Sequence, residues 1–132
     1  MVIDTSALLA ILWNEPERSI FLELIYSDPA LAISAITHCE AAVVARARTN
    51  NMDIVMALDD LIQELELEIV PVDLDMALAA RAAYFQFGKG FHPARLNFAD
   101  CFSYSLAKQR DEYLLFKGGD FHLTDVRPAL RV

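Results

Sequence analysis

Apolar positions along this chain alternate between two textures: short solid runs and longer stretches with helical spacing. Val2 to Asp4 reads as a short buried strand, with Thr5 and Ser6 capping a helix from Ala7 to Trp13. Asn14 suits the N-cap of the next helix, Pro16 its first turn, and Glu15 and Glu17 the positive end of its dipole. Its apolar stripe runs through Ile20, Phe21, Leu24 and Ile25. Asp28-Pro29 is a turn, and Leu31 to Ile33 a second strand. A helix then starts at Ser34 or at Thr37 and ends at Asn50-Asn51. Asp53 to Leu67 is amphipathic, Ile69 to Val72 is a strand, and Asp73 to Phe87 is a long alanine-rich helix. Asn97 caps a helix to about Lys108, and Tyr113 to Phe116 forms the last clear strand. Lys117-Gly-Gly-Asp120-Phe is a turn, and Thr124-Asp125 starts a short edge element. Strands alternating with helices predict an α/β fold, a sheet of four or five short, mainly parallel strands between helical layers.

Four acids stand out against this pattern. Asp4 ends the first apolar run, Glu40 interrupts an apolar helix, Asp100 opens another, and Asp120 follows the final strand. Burying a carboxylate costs several kcal/mol unless it is paired or bound to a metal. In parallel sheets ligands collect beyond the carboxyl ends of the strands, and Asp4, Asp100 and Asp120 all point to that edge. A divalent cation keeps such a group ionised, and an oxygen-rich donor set suits Mg²⁺, with Mn²⁺ able to substitute. Local roles compete with this one. Thr37 and Glu40 match a capping box if the helix starts at Thr37, and the third position of a helix favours an acid such as Asp100.

Length and composition narrow the picture. A chain of 132 residues, 55% of them hydrophobic, makes one domain with a generous core. No apolar run approaches the roughly 18 residues of a membrane span, and the first strand has no basic flank of the kind a signal peptide carries. Cys39 and Cys101 lack zinc spacing and read as buried free thiols of a reducing cytoplasm. The net charge of -8 is unevenly spread: residues 1–80 hold 3 Lys/Arg against 14 Asp/Glu, and residues 81–132 hold 8 against 5. The second part is therefore the one that can meet a polyanion.

The segments Met1-Val-Ile-Asp4-Thr5-Ser6-Ala-Leu, Glu15-Pro-Glu, Ser34 to Glu40-Ala-Ala, Leu96-Asn-Phe-Ala-Asp100-Cys-Phe-Ser-Tyr and Leu114-Leu-Phe-Lys-Gly-Gly-Asp120-Phe recur in order over nearly the whole chain. In this the sequence resembles the PIN domain, and within it the VapC-type toxins of bacterial toxin–antitoxin pairs. The resemblance implies a PIN-like α/β/α sandwich and a magnesium-dependent ribonuclease held silent by a small VapB-type antitoxin. Asp4 and Asp100 map onto the family's metal ligands and Glu40 onto its third acid. Many relatives carry a fourth acid three residues before the last motif's phenylalanine, where this chain has Gly118. Asp120 is taken in its place, with Asp125 as the alternative. Thr5 and Ser6 are candidates to support a ligand or touch substrate.

For an RNA substrate, the loop carrying Lys89, His92 and Arg95 is the candidate for phosphate contact, aided by Lys117, with Arg46 and Lys108 weaker. His38 is expected to face away from Glu40. Phe91, Phe98 and Phe116 read as core. Leu8, Leu12, Trp13, Phe21 and Leu24 offer an apolar surface for a homodimer, alongside the toxin–antitoxin hetero-oligomer. Two other classes remain open: a PIN fold without catalysis that serves as a protein-binding module, and a receiver-like phosphoacceptor, which needs an acid pair beside the first strand where Asp4 stands alone.

Overall fold

The alternation of side chains along three strands explains why two helical layers form. In the computed structural model, which describes residues 1–131, β1 (Val2–Ile3), β2 (Ala32–Ser34), β3 (Glu68–Val70) and β4 (Leu114–Leu115) form one parallel sheet in the order β3-β2-β1-β4. Val2 sits opposite Ala32 on one side and Leu114 on the other. Successive strand residues point to opposite faces. Ile3, Ile33 and Leu115 therefore enter one core, while Val2, Ala32 and Leu114 enter the other.

The first core is closed by α1 (Thr5–Leu12), α2 (Arg18–Ser27), α3 (Ala35–Thr49) and α4 (Asp53–Glu64). The second is closed by α5 (Leu74–Phe87) and α6 (Phe98–Arg110), together with Phe116, Phe121 and Val126. The result is the expected α/β/α sandwich with four strands. Leu8 and Phe21 are fully buried, and Leu12, Trp13 and Leu24 pack against the same core. Of the apolar surface expected of these five residues, Leu8 and Phe21 are therefore interior, and Leu12, Trp13 and Leu24 keep part of their surface in solvent.

Several local expectations change. Asp4, rather than Thr5 or Ser6, caps α1: its carboxylate accepts from the Ser6 N–H at 3.0 Å. Asn14 adopts φ +54° and does not start α2, which begins at Arg18 after a turn through Glu15, Pro16 and Glu17. Ser34 caps α3, so Thr37 lies inside the helix and forms no capping box with Glu40. The edge element lies slightly later than expected, as a parallel bridge between Leu114 and Pro128. Cys101 is buried as expected, but Cys39 is exposed; both are free.

The strand order matters for function. From β1 the chain crosses to β2 and then β3 on one side, and it returns with β4 on the other. The order therefore reverses at β1, which opens a crevice beyond the carboxyl ends of β1 and β4. Asp4 leaves β1 there, and Lys117 to Asp120 leave β4.

A carboxylate cluster at the switch point

Asp4 is the fixed centre of this crevice, with only 3% of its surface exposed. Its backbone N–H donates to Leu115 O at 2.9 Å, anchoring it to β4. Ser6 Oγ donates to Asp4 Oδ2 at 2.7 Å and accepts from the Lys117 N–H at 2.9 Å. One hydroxyl thus ties the acid to the turn that carries Asp120. Both Ser6 bonds fall on Oδ2, leaving Oδ1 for another partner.

Asp100 arrives from the first turn of α6. Asn97 and Asp100 form a capping box: Asn97 Oδ1 accepts from the Asp100 N–H at 2.8 Å, and Asp100 Oδ2 accepts from the Asn97 N–H at 2.9 Å. Its structural and chemical roles coexist, because the second carboxylate oxygen stays free. Glu40 comes from the second turn of α3. Thr37 and Ser103, three residues from Glu40 and Asp100 respectively, share a buried hydrogen bond of 3.1 Å. Residues three apart lie on one helix face, so this bond clamps α3 to α6 one turn away from both acids. Sequence reasoning passed over the pair, although a hydroxyl at an apolar position of each helix was the available signal.

The four acids lie within one another's field. The Asp100 carboxyl is pushed up to about 7, first by burial, then by the charge of Asp4, with Glu40 and Asp120 adding to it; the Asn97 N–H acts in the opposite direction. Glu40 is also raised, chiefly by burial and further by Asp4, while the Thr5 hydroxyl lowers it. That hydroxyl is itself buried and makes no hydrogen bond of normal length. Asp125 is turned elsewhere: it accepts from Tyr104 Oη at 2.5 Å and from Lys108 Nζ at 3.1 Å. Asp120, exposed on the 3-10 turn Asp120–Leu123, is instead close enough for its charge to act on Asp100. Gly118 has φ +99°, a conformation side-chain-bearing residues rarely adopt. An acid at that position would be strained in this turn.

Among the described residues no Lys or Arg forms an ion pair with Asp4, Glu40, Asp100 or Asp120. The nearest ammonium in sequence, Lys117, is held by Glu15 and, at 3.0 Å, by Glu17. Those bonds raise Lys117, with Glu15 the largest cause, and Lys117 in turn lowers Glu17. Lys117 thus serves the site through its main-chain N–H, and its charge is already balanced. No three of the four acids stand in ready-made ligating geometry among the described residues. Even so, unpaired carboxylates gathered around the buried Asp4, each with a free oxygen, fit a hard divalent cation.

The basic loop is tightly built. Gly88 is needed because a Cβ there would meet Tyr84 O at 2.3 Å. Lys89 N–H donates to Leu96 O, and Leu96 N–H to Phe87 O. His92 Nδ1 accepts from the Ala94 N–H at 3.0 Å and its ring sits edge-on to Phe87, so it braces the loop from within. Lys89 and Arg95 are exposed. Phe116 is buried as expected, but Phe91 and Phe98 are not.

Comparison with known proteins decides the family. Residues 1–126 match the PIN domain. A Ribonuclease VapC of Mycolicibacterium smegmatis is 45% identical over 126 residues, covering 96% of this chain and 97% of that one. The chain belongs to the PIN-domain family, among its VapC ribonucleases. The fold agrees with the crystal structure of Mycobacterium tuberculosis VapC20, a Sarcin-Ricin loop cleaving toxin, at a TM-score of 0.74 and 19% identity over 96% of this chain and 98% of that one. A toxin–antitoxin complex from Klebsiella pneumoniae gives a TM-score of 0.68 at 22% identity, covering 99% and 98%. VapC membership removes the receiver-like alternative.

Proposed function

We propose that this VapC chain, acting as a single PIN domain over residues 1–132, is a magnesium-dependent endoribonuclease and the toxin of a VapBC-type pair. The observation that carries the reading is the cluster itself: four carboxylates at the sheet's switch point with no basic side chain to balance them. Asp4, Asp100 and Asp120 hold Mg²⁺, or Mn²⁺ in its place. The bound ion supplies Lewis-acid screening of the phosphate charge and activation of water for phosphodiester hydrolysis. Glu40, raised by burial and by Asp4, is suited to accept the proton of the attacking water. Lys89 and Arg95 draw the RNA backbone toward the acids, and the buried Thr5 hydroxyl steadies Glu40.

Ser6 is a positioning residue for Asp4. Ser6→Ala is expected to lower cleavage roughly ten- to a hundredfold, the usual effect of removing a group that orients a metal ligand. Titration with Mg²⁺ should show the half-maximal rate moving to higher ion concentration; an unchanged titration removes the role.

The same pocket accounts for the partner. A VapB-type antitoxin that lays an arginine among the acids would satisfy them bidentately and exclude the ion. Self-association as a homodimer belongs to the proposal as well; of the N-terminal apolar residues, Leu8 and Phe21 are interior, while Leu12, Trp13 and Leu24 are half-buried. Among the described residues no helix is long and apolar enough to cross a membrane, and a cytoplasmic location goes with an RNA substrate.

The deciding experiment compares Mg²⁺-dependent cleavage of a structured RNA by the wild type, Asp4→Asn and Asp100→Asn. Both variants are expected to be inactive. Equal activity in all three would mean that the cutting agent is a contaminant and that the fold serves as a metal-free binding module.

A further inference from the structure

Lys117 touches both ends of α1. Its main-chain N–H donates to Ser6 Oγ in the first turn, and its ammonium is clasped by Glu15 and Glu17, beyond the last. The two acids are fixed in place by their own main chain. Glu15 N–H donates to Ala10 O at 2.9 Å, Arg18 N–H to Glu15 O at 3.0 Å and Phe21 N–H to Glu17 O at 3.0 Å. Arg18 Nη1 donates to Ile11 O at 2.7 Å, and Phe21 is buried. The turn through Glu15, Pro16 and Glu17 is therefore seated on the C-terminal end of α1. Glu17 Oε2 is closed off from solvent, with the Lys117 ammonium at 3.0 Å as its balancing charge. A carboxylate oxygen shielded in this way favours keeping its cation.

The segment that follows Lys117 has little else to hold it. A Cβ at Gly118 or Gly119 would meet nothing within 4 Å, so the turn stands clear of the fold there. Packing resumes at the buried Phe121, whose ring lies 5.0 Å from that of Phe116. Asp120 thus stands between a free-standing pair of glycines and one buried ring, and the anchor before the glycines is Lys117. Exposed ion pairs contribute little to stability, because ordering a long side chain offsets the attraction of the charges. What this contact does fix is position. Glu15 and Lys117 lie 102 positions apart in the chain, and their pairing sets the turn against α1, which starts at Asp4. Two carboxylates confine the ammonium to one place, where a single contact would let it pivot.

We propose that Glu15, Glu17 and Lys117 are positioning residues: their clasp fixes the glycine turn along α1 and so sets where the Asp120 carboxylate stands relative to Asp4. The proposal rests on the metal-dependent ribonuclease reading above and deepens it. Its effect is preorganisation, since a turn already held in place presents Asp120 to a cation without first having to be ordered. The Lys117 ammonium itself touches neither metal nor RNA.

The test follows Mn²⁺ binding to the full chain by electron paramagnetic resonance, and amide exchange across residues 117–123 in EDTA by mass spectrometry. Glu15→Gln with Glu17→Gln, and separately Lys117→Met, should each weaken Mn²⁺ binding roughly tenfold and speed exchange across the turn. Combining all three changes should cost no more than either set alone, since the groups act as one unit. Lys117→Arg keeps a cation for both carboxylates and should retain most of the binding. KM for RNA at saturating Mg²⁺ should stay at the wild-type value in every variant. Unchanged Mn²⁺ affinity and exchange, with only a lower melting temperature, overturn the proposal and leave the clasp a stabilising contact. A raised KM confined to Lys117→Met also overturns it, by placing the ammonium on RNA. If the variants match a wild type that binds Mn²⁺ and cuts RNA, the clasp's role alone fails; if the wild type does neither, the nuclease reading fails and the proposal with it.

Discussion

An Asp100→Asn protein is expected to lose RNA cleavage by roughly a hundredfold to a thousandfold or more and, in EDTA, to melt at a higher temperature than the wild type. Both effects come from the same carboxylate. In the proposed function its negative charge would draw a cation into the crevice, and without a cation the charge is a burden. Burial and the charges of Asp4, Glu40 and Asp120 push its carboxyl up to about 7. A shift of one unit corresponds to about 1.4 kcal/mol. Discounted for the part of Asp100 that solvent reaches, the cluster withholds roughly 2–3 kcal/mol from the metal-free fold at neutral pH. Asparagine removes the charge and keeps an oxygen to accept from the Asn97 N–H, so the capping box survives. For a domain of this length the gain corresponds to a rise on the order of 5–10 °C. Calorimetry in EDTA and a cleavage assay with Mg²⁺ read the two arms. A lower melting temperature would show that the carboxylate stabilises its helix more than the cluster strains it.

What the sequence carried, and what it did not, divides by range. Asp4 follows an apolar run and Asp100 sits at the third position of a helix capped by Asn97. Both facts are local, and both place the acid where the fold puts it. The two-layer architecture was legible for the same reason, since adjacent strand residues such as Val2 and Ile3 must face opposite cores. Contacts between distant segments were not legible. Nothing near Lys117 announces that Glu15 and Glu17 neutralise it, or that its N–H reaches Ser6 across the sheet. Composition placed Phe91 and Phe98 inside because phenylalanine is usually buried, whereas the tight loop at Gly88 turns one ring outward and the start of α6 leaves the other uncovered. Leu8 and Phe21 are lost to any dimer surface for the converse reason: both lie inside the core that α1, α2, α3 and α4 close.

Magnesium is expected to stabilise the protein strongly at pH 8 and hardly at all at pH 5. Asp100 and Glu40 both have folded-state values raised above those of an unfolded chain, so the folded protein holds protons that the unfolded protein has released. Metal-free stability from these groups is fully present below the unfolded carboxyl range of about 3.9–4.3. It falls as pH climbs and levels off once Asp100 has ionised near 7. A divalent cation has to displace those protons. At pH 5, about two units below the Asp100 midpoint, displacement of that one proton weakens binding roughly a hundredfold, which removes about 2.7 kcal/mol of ligand-linked stabilisation. Above pH 7 the carboxylates are already charged, and the ion relieves their repulsion without that competition. Melting curves with 10 mM MgCl₂ and with EDTA at the two pH values read the difference directly. Asp100→Asn, with its titrating ligand gone, should show a small magnesium shift that hardly varies between them. An equal magnesium shift for the wild type at pH 5 and pH 8 would place the ion somewhere other than this cluster.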